Sequence, residues 1–240
     1  MAFIMTEASR IRARAVLIAG GLVGAVVLSN VTFASEEPRL VPAALHDVAA
    51  GSGTQTAVFA GGCFWGTQGV FQHVEGVVSA AAGYAGGSAD TATYKLVETG
   101  RTGHAEAVQV VFDPNKISYG QLMRIFFSVV HDPTQVDRQG LDIGRQYRSA
   151  IFPLNDEQAT SAAEYIEQLN KAKVFKSNIA TTVEPGKAFY KAEAYHQNFM
   201  AANPTQPYVV LTERPKVGNL QWLFPQFYRE QAILLTDGQG

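Results

Sequence analysis

The sequence predicts a mixed α+β or α/β sandwich. Short β-type runs alternate with amphipathic helical runs, some at hairpin-like spacing, and Gly or Pro marks most junctions between them. Of the 240 residues, 47% are hydrophobic and 17% charged, enough apolar material for one packed core and too little charge for a disordered tail to dominate. The 19 basic and 21 acidic residues leave a net charge of −2, with no concentrated basic face for nucleic acid. A single cysteine, Cys63, excludes an intrachain disulfide, a multi-cysteine zinc site and a CxxC redox pair.

The chain opens with Arg10, Arg12 and Arg14, an apolar run from Ala15 to Leu28, and small residues around Thr32-Phe33-Ala34. Residues 1–34 therefore read as a secretory signal peptide, and the protein as exported, in a bacterial periplasm. An uncleaved membrane anchor is the alternative, because Ala15 to Ala34 approaches the ~20 residues that span a bilayer. Residues 35–55, rich in Ala, Pro, Gly and Ser, read as a linker. Thr56 to Ala60 predicts a strand that ends at Gly61-Gly62, and Cys63 to Val74 has helical spacing. Gly76 to Tyr84 and Ala105 to Phe112 predict strands, the second stopped by Asp113-Pro114. Ser118 and Gln121 form a capping box before a helix whose Leu122, Ile125, Phe126, Val129 and Val130 make one core stripe. Arg148 to Phe152 predicts a strand, Glu157 to Leu169 a helix, Ile179 to Val183 a strand, and Phe189 to Met200 a last long helix.

Chemistry concentrates at Gly61-Gly62-Cys63-Phe64-Trp65-Gly66. A cysteine in the first turn of a helix meets unpaired N–H groups and the positive dipole end, which favour a thiolate and lower its pKa from about 8.5. A lone cysteine can equally be a small buried hydrophobe. Dispersed histidines offer no metal-ligand spacing, and the glycine pairs lack nucleotide-loop spacing, so no metal or nucleotide is expected.

GCFWG at 62–66 resembles the signature of the peptide-methionine (S)-S-oxide reductases, the A-type methionine sulfoxide reductases. The resemblance continues through AGYAGG (82–87), TY (93–94), TGHAEAV (102–108), HDP (131–133), QYRSAI (146–151) and AEAYHQ (192–197). It implies a two-layer sandwich with a ferredoxin-like mixed sheet core, a catalytic domain over 56–203, and a cysteine-free C-terminal extension over 204–240 packed on that domain, flexible at its end. It also implies roles: Cys63 as nucleophile, Glu106 as the acid for the sulfoxide oxygen, Phe64 and Trp65 as aromatic walls for the substrate methyl, Tyr94 and Tyr147 as hydrogen-bond donors, and Asp142 tied to the site.

Those roles are chemically coherent. Protonating the sulfoxide oxygen makes it a better leaving group, and desolvation would keep Glu106 protonated near neutral pH. Phenol donors bind the oxygen without adding charge. The expected product on the enzyme is a Cys63 sulfenic acid, and many family members resolve it with further cysteines near the C-terminus. This chain has none, so the expected reductant is external, a thioredoxin-like protein or a small thiol, with oxidised proteins, peptides or free methionine sulfoxide as substrate. Two other readings compete: a Cys–His hydrolase or amidase pairing Cys63 with His104, His131 or His196, and a non-catalytic module that binds oxidised methionine.

Overall fold

Each face of the first strand is apolar. In β1 (Gln55–Gly61), Ala57 and Phe59 point one way, Val58 and Ala60 the other, and all four are buried, as in an inner strand. The computed structural model describes residues 38–236; the expected signal segment and the end beyond Thr236, expected to be flexible, lie outside the described residues. After β1 come α1 (Phe64–Gln72), β2 (Val77–Ala85), α2 (Tyr94–Val97), β3 (Ala105–Phe112) and α3 (Tyr119–Ile125), which runs on as a wider π-helical turn over Phe126–Val130. A small hairpin, β4 (Arg138–Gln139) and β5 (Asp142–Ile143), precedes β6 (Ser149–Ile151), α4 (Asp156–Lys171), β7 (Thr182–Val183) and β8 (Phe189–Lys191). The C-terminal part contains α5 (Phe199–Ala202), a second π-helical turn (Val209–Glu213) and α6 (Arg214–Leu223).

The main sheet has the order β7-β6-β1-β3-β2-β8, antiparallel except for the β6–β7 pair. Its centre, β6-β1-β3-β2, interleaves two βαβ units, β1-α1-β2 and β3-α3-β6, which is the ferredoxin-like arrangement. Side chains on one sheet face (Ala57, Phe59, Ala82, Tyr84, Val108, Val110) pack against Phe71 of α1, Leu122 of α3, Tyr165 of α4 and Leu220 of α6. The other face carries small residues, with Phe152 and Phe189 over them. Helices on one face of a mixed sheet make this a two-layer α/β fold.

The capping box forms as expected: Gln121 N–H donates to Ser118 Oγ at 3.2 Å, and Ser118 N–H to Gln121 Oε1 at 2.9 Å. Two expectations need correction. Phe189 to Met200 is not a long helix. Its first three residues are β8, paired with Gly83 to Ala85 at the sheet edge, and the rest is a short turn, a left-handed Asn198 and α5. Pairing with an open edge outweighs local helical spacing here, and Gly83 permits it, since a Cβ there would lie 2.3 Å from Phe189 Cζ.

The second correction concerns residues 35–55. From residue 38 to 54 the chain has no helix or strand, but it is not a loose linker. Val41 and Val48 are buried, Tyr165 OH donates to Pro42 O at 2.5 Å, Arg124 Nε to Val41 O at 2.8 Å, and Gly120 N–H to Asp47 Oδ1 at 2.6 Å. Composition failed to show this because the partners are groups of α3 and α4, far away in sequence.

Candidate active site

Two neighbouring strands and one helix start deliver the reactive groups. β1 ends at Gly61-Gly62; Gly62 takes φ +86°, and a Cβ there would strike Gln139 of β4 at 2.7 Å. That turn leaves Cys63 as the N-cap of α1. Across the sheet, Glu106 lies on β3 opposite Tyr84 of β2, on the same helix-facing side as Val108, Val110 and Phe112. The link between them is direct: the Phe64 backbone N–H, first in the helix, donates to Glu106 Oε2 at 3.0 Å.

Burial decides the electrostatics. Glu106 is 3% exposed, and desolvation, reinforced by Asp142 and Glu213, pushes its pKa up to about 8 against the pull of the Phe64 N–H. That shift favours the protonated carboxylic acid at neutral pH. The Cys63 thiol is also raised well above its ordinary value, first by burial, then by Glu106, Glu213 and Asp142, although the Trp65 N–H opposes them. This corrects the expectation of a lowered pKa. A helix dipole offers about half a charge at its first turn, and loss of hydration plus neighbouring carboxyls outweighs it.

The aromatic residues divide. Phe64 is enclosed, its ring 4.9 Å from His196 and 5.9 Å from Tyr84. Trp65 is part-exposed; it stacks on Phe199 at 3.6 Å and donates from Nε1 to His196 Nδ1 at 3.2 Å. Tyr94 and Tyr147 both lie close enough to Cys63 and Glu106 for those groups to raise their phenol pKa values, after burial itself. Asp142, on β5, accepts from Tyr208 OH at 2.5 Å, and the Tyr208 ring sits edge-on to Trp65 at 6.1 Å. All seven residues singled out in the sequence thus converge on one place.

Sequence reasoning missed four others and considered His196 only as a candidate base. Glu193 accepts from Tyr84 OH and from the Tyr94 N–H, at 2.8 and 2.9 Å. His196 and Tyr208 brace Trp65 and Asp142, and Glu213 with Lys216 lies beneath the first turn of α1. A signal for the last pair existed: Val209, Glu213, Lys216 and Leu220 share one helical stripe with two charges in it.

None of the five histidines hydrogen-bonds Cys63 among the described residues. His104 accepts from the Gly87 N–H and meets Ser88 O; His131 bonds Ser149 and Phe126 O, its pKa driven down to about 3 chiefly by burial; His46 and His73 lie elsewhere. The hydrolase reading therefore lacks its base. Also among the described residues, no group of three or more His, Cys, Asp or Glu is placed to hold a metal.

A buried thiol joined through the Phe64 N–H to a buried acid of raised pKa, walled by aromatics on an α/β sandwich, fits a thiol-dependent oxidoreductase acting on oxidised sulfur. The sequence pattern of the Peptide methionine sulfoxide reductase family matches residues 55–225, and the chain belongs to that family. It is 56% identical over 194 residues to the peptide methionine sulfoxide reductase MsrA 2 of Mesorhizobium japonicum, covering 81% of this chain and 100% of that one. With the MsrA of Deinococcus radiodurans the identity is 49%, over 75% and 85% of the two chains. Among solved structures, reduced Mxr1 from Saccharomyces cerevisiae matches with a TM-score of 0.61 and 32% identity over 70% of this chain and 96% of that one. Methionine sulfoxide reductase A of Corynebacterium diphtheriae matches at 0.54 and 35%, over 71% and 83%.

Proposed function

We propose that the chain reduces methionine-(S)-sulfoxide, free or in proteins, to methionine, as repair of oxidised proteins. The observation that carries this reading is the Cys63–Glu106 pair held together through the Phe64 N–H. In the first half-reaction the Cys63 sulfur bonds to the sulfoxide sulfur while Glu106 gives its proton to the sulfoxide oxygen. The oxygen passes to Cys63, methionine leaves, and the thiol proton returns to Glu106, so the balance is thiol plus sulfoxide to sulfenic acid plus thioether. Tyr94 and Tyr147 donate to the same oxygen, and Trp65 with Phe64 seats the methyl group and thereby selects one sulfur epimer.

In the second half-reaction an external thiol condenses with the sulfenic acid, releasing water, and another thiol displaces the mixed disulfide. A thioredoxin-like protein or a small thiol fits that step, because Cys63 is the chain's one cysteine. The arginines and apolar run within residues 1–34 support export, with the folded part in a bacterial periplasm, and membrane contact only if that segment stays attached.

The test is an assay of the purified chain on separate S and R epimers with dithiothreitol, with Cys63→Ser as the blank. Turnover of the S epimer alone is expected; activity on the R epimer alone, or in the blank, would overturn the reading.

A further inference from the structure

Val209, Glu213, Lys216 and Leu220 follow one another at four-, three- and four-residue spacing, so they share one face of the π-helical turn and α6. All four are buried. Val209 and Leu220 suit that face; Glu213 and Lys216 do not, unless paired. Lys216 Nζ lies 3.1 Å from Glu213 Oε2, with side chains 7% and 0% exposed. Beyond this ion contact neither Glu213 oxygen accepts a hydrogen bond. Replacing such a pair with apolar residues of similar volume is often neutral or stabilising, so stability alone gives no reason to place it here.

Its location does. The Glu213 carboxylate rests on Gly66, where a Cβ would fall 1.4 Å from Oε2. Gly66 is in the first turn of α1, three residues after Cys63. The carboxylate therefore lies against the turn that presents the thiol, and its charge acts on both Cys63 and Glu106.

We propose that the buried Glu213–Lys216 pair, seated against the turn of α1 that presents Cys63, shields the chain's one cysteine from oxidants until substrate enters. Thiolates are the form that oxidants attack, and no second cysteine in this chain could recover Cys63 by an internal disulfide. The inference rests on Cys63 being the nucleophile. Other groups also face Cys63: Glu106 from β3, Asp142 from β5, Tyr94 from α2, Tyr147 before β6, and Tyr208 ahead of the π-helical turn. On the far side, the Lys216 ammonium adds to burial in keeping His131 neutral. Among the described residues around Cys63, Glu213 is the carboxylate backed by a buried lysine.

The pH dependence of Cys63 alkylation by iodoacetamide tests this on the full chain, without sulfoxide or reductant. The double variant Glu213→Gln with Lys216→Met removes both charges and leaves no lone buried ion. Its titration midpoint should fall by about 0.5–1 unit, making alkylation at pH 7.5 about three to ten times faster, with the high-pH plateau unchanged. Glu213→Asp should stay close to the parent. Lys216→Met alone should also speed alkylation, because an unpaired buried carboxylate takes up a proton and loses its charge. An unmoved midpoint in the double variant, a raised plateau that signals a loosened fold, or slower alkylation in Lys216→Met would each overturn the proposal. Sulfoxide turnover by Cys63→Ser is the separate control: if that variant remains active, the nucleophile assignment fails, whatever the alkylation shows.

Discussion

Glu106 is an awkward residue for a folded core and a useful one for an acid catalyst, for the same reason. Its pKa is raised from 4.5 to about 8, so the fold favours the protonated form. The sign follows: the folded state binds a proton more tightly than the unfolded chain, and stability is lost as pH rises from the unfolded pKa through about 8. Glu106→Gln should therefore melt at a higher temperature than the parent at pH 9, and the gain should shrink by pH 5. The same variant should lose about 100-fold or more in single-turnover reduction, because glutamine cannot deliver a proton. In the parent chain, sulfenic acid formation in single turnover should fall as pH passes about 8, measured by rapid quench. Cys63 makes the complementary point. Its glycine-flanked helix start is legible in the sequence, but the direction of its pKa is not, since that is set first by burial and then by the carboxyls of Glu106, Glu213 and Asp142, which come from three other segments.

Elements with local causes follow the sequence closely, and those with distant causes do not. The Ser118 capping box is complete within four residues, and α3 begins where it dictates. Ser118→Ala should cost about 1 kcal/mol, read as a lowered urea midpoint with sulfoxide reductase activity unchanged. β3 coincides with its predicted span because Val108, Val110 and Phe112 alternate with the small residues of the opposite face. β8 is the contrary case: its three residues become a strand because β2 offers an open edge and Gly83 leaves room for Phe189. The hairpin of β4 and β5 is equally unreadable, two residues per strand, yet it aims Asp142 at Tyr208. Short strands have too few side chains for a period to show.

At the scale of the whole molecule, both ends of the described chain reach back over the helical layer. Residues 38–54 strap α3 and α4, while α6 and the residues after it close over α1, where Arg229 N–H donates to His73 O at 2.9 Å and Ile233 N–H to Gln72 O at 2.9 Å. Asp47→Ala, which frees the Gly120 N–H at the start of α3, should cost about 1–3 kcal/mol and lower the thermal midpoint without altering the pH profile of reduction. The single cysteine is also a property of the entire chain: after one exposure to sulfoxide without reductant, Cys63 should persist as a sulfenic acid that dimedone labels. Lack of labelling would argue against the external-thiol cycle. Composition and the alternating strands pointed by themselves to an α/β fold with one thiol, since those signals are local periods, and the acid and the reductase chemistry came through the resemblance carried by GCFWG and TGHAEAV. Only the tertiary structure decided that burial and neighbouring carboxyls push the thiol's pKa up, that Tyr208, His196 and Glu193 brace the site, and that Glu213 and Lys216 lie beneath it. Burial and charge at a point depend on every segment that converges there, and that convergence has no local pattern.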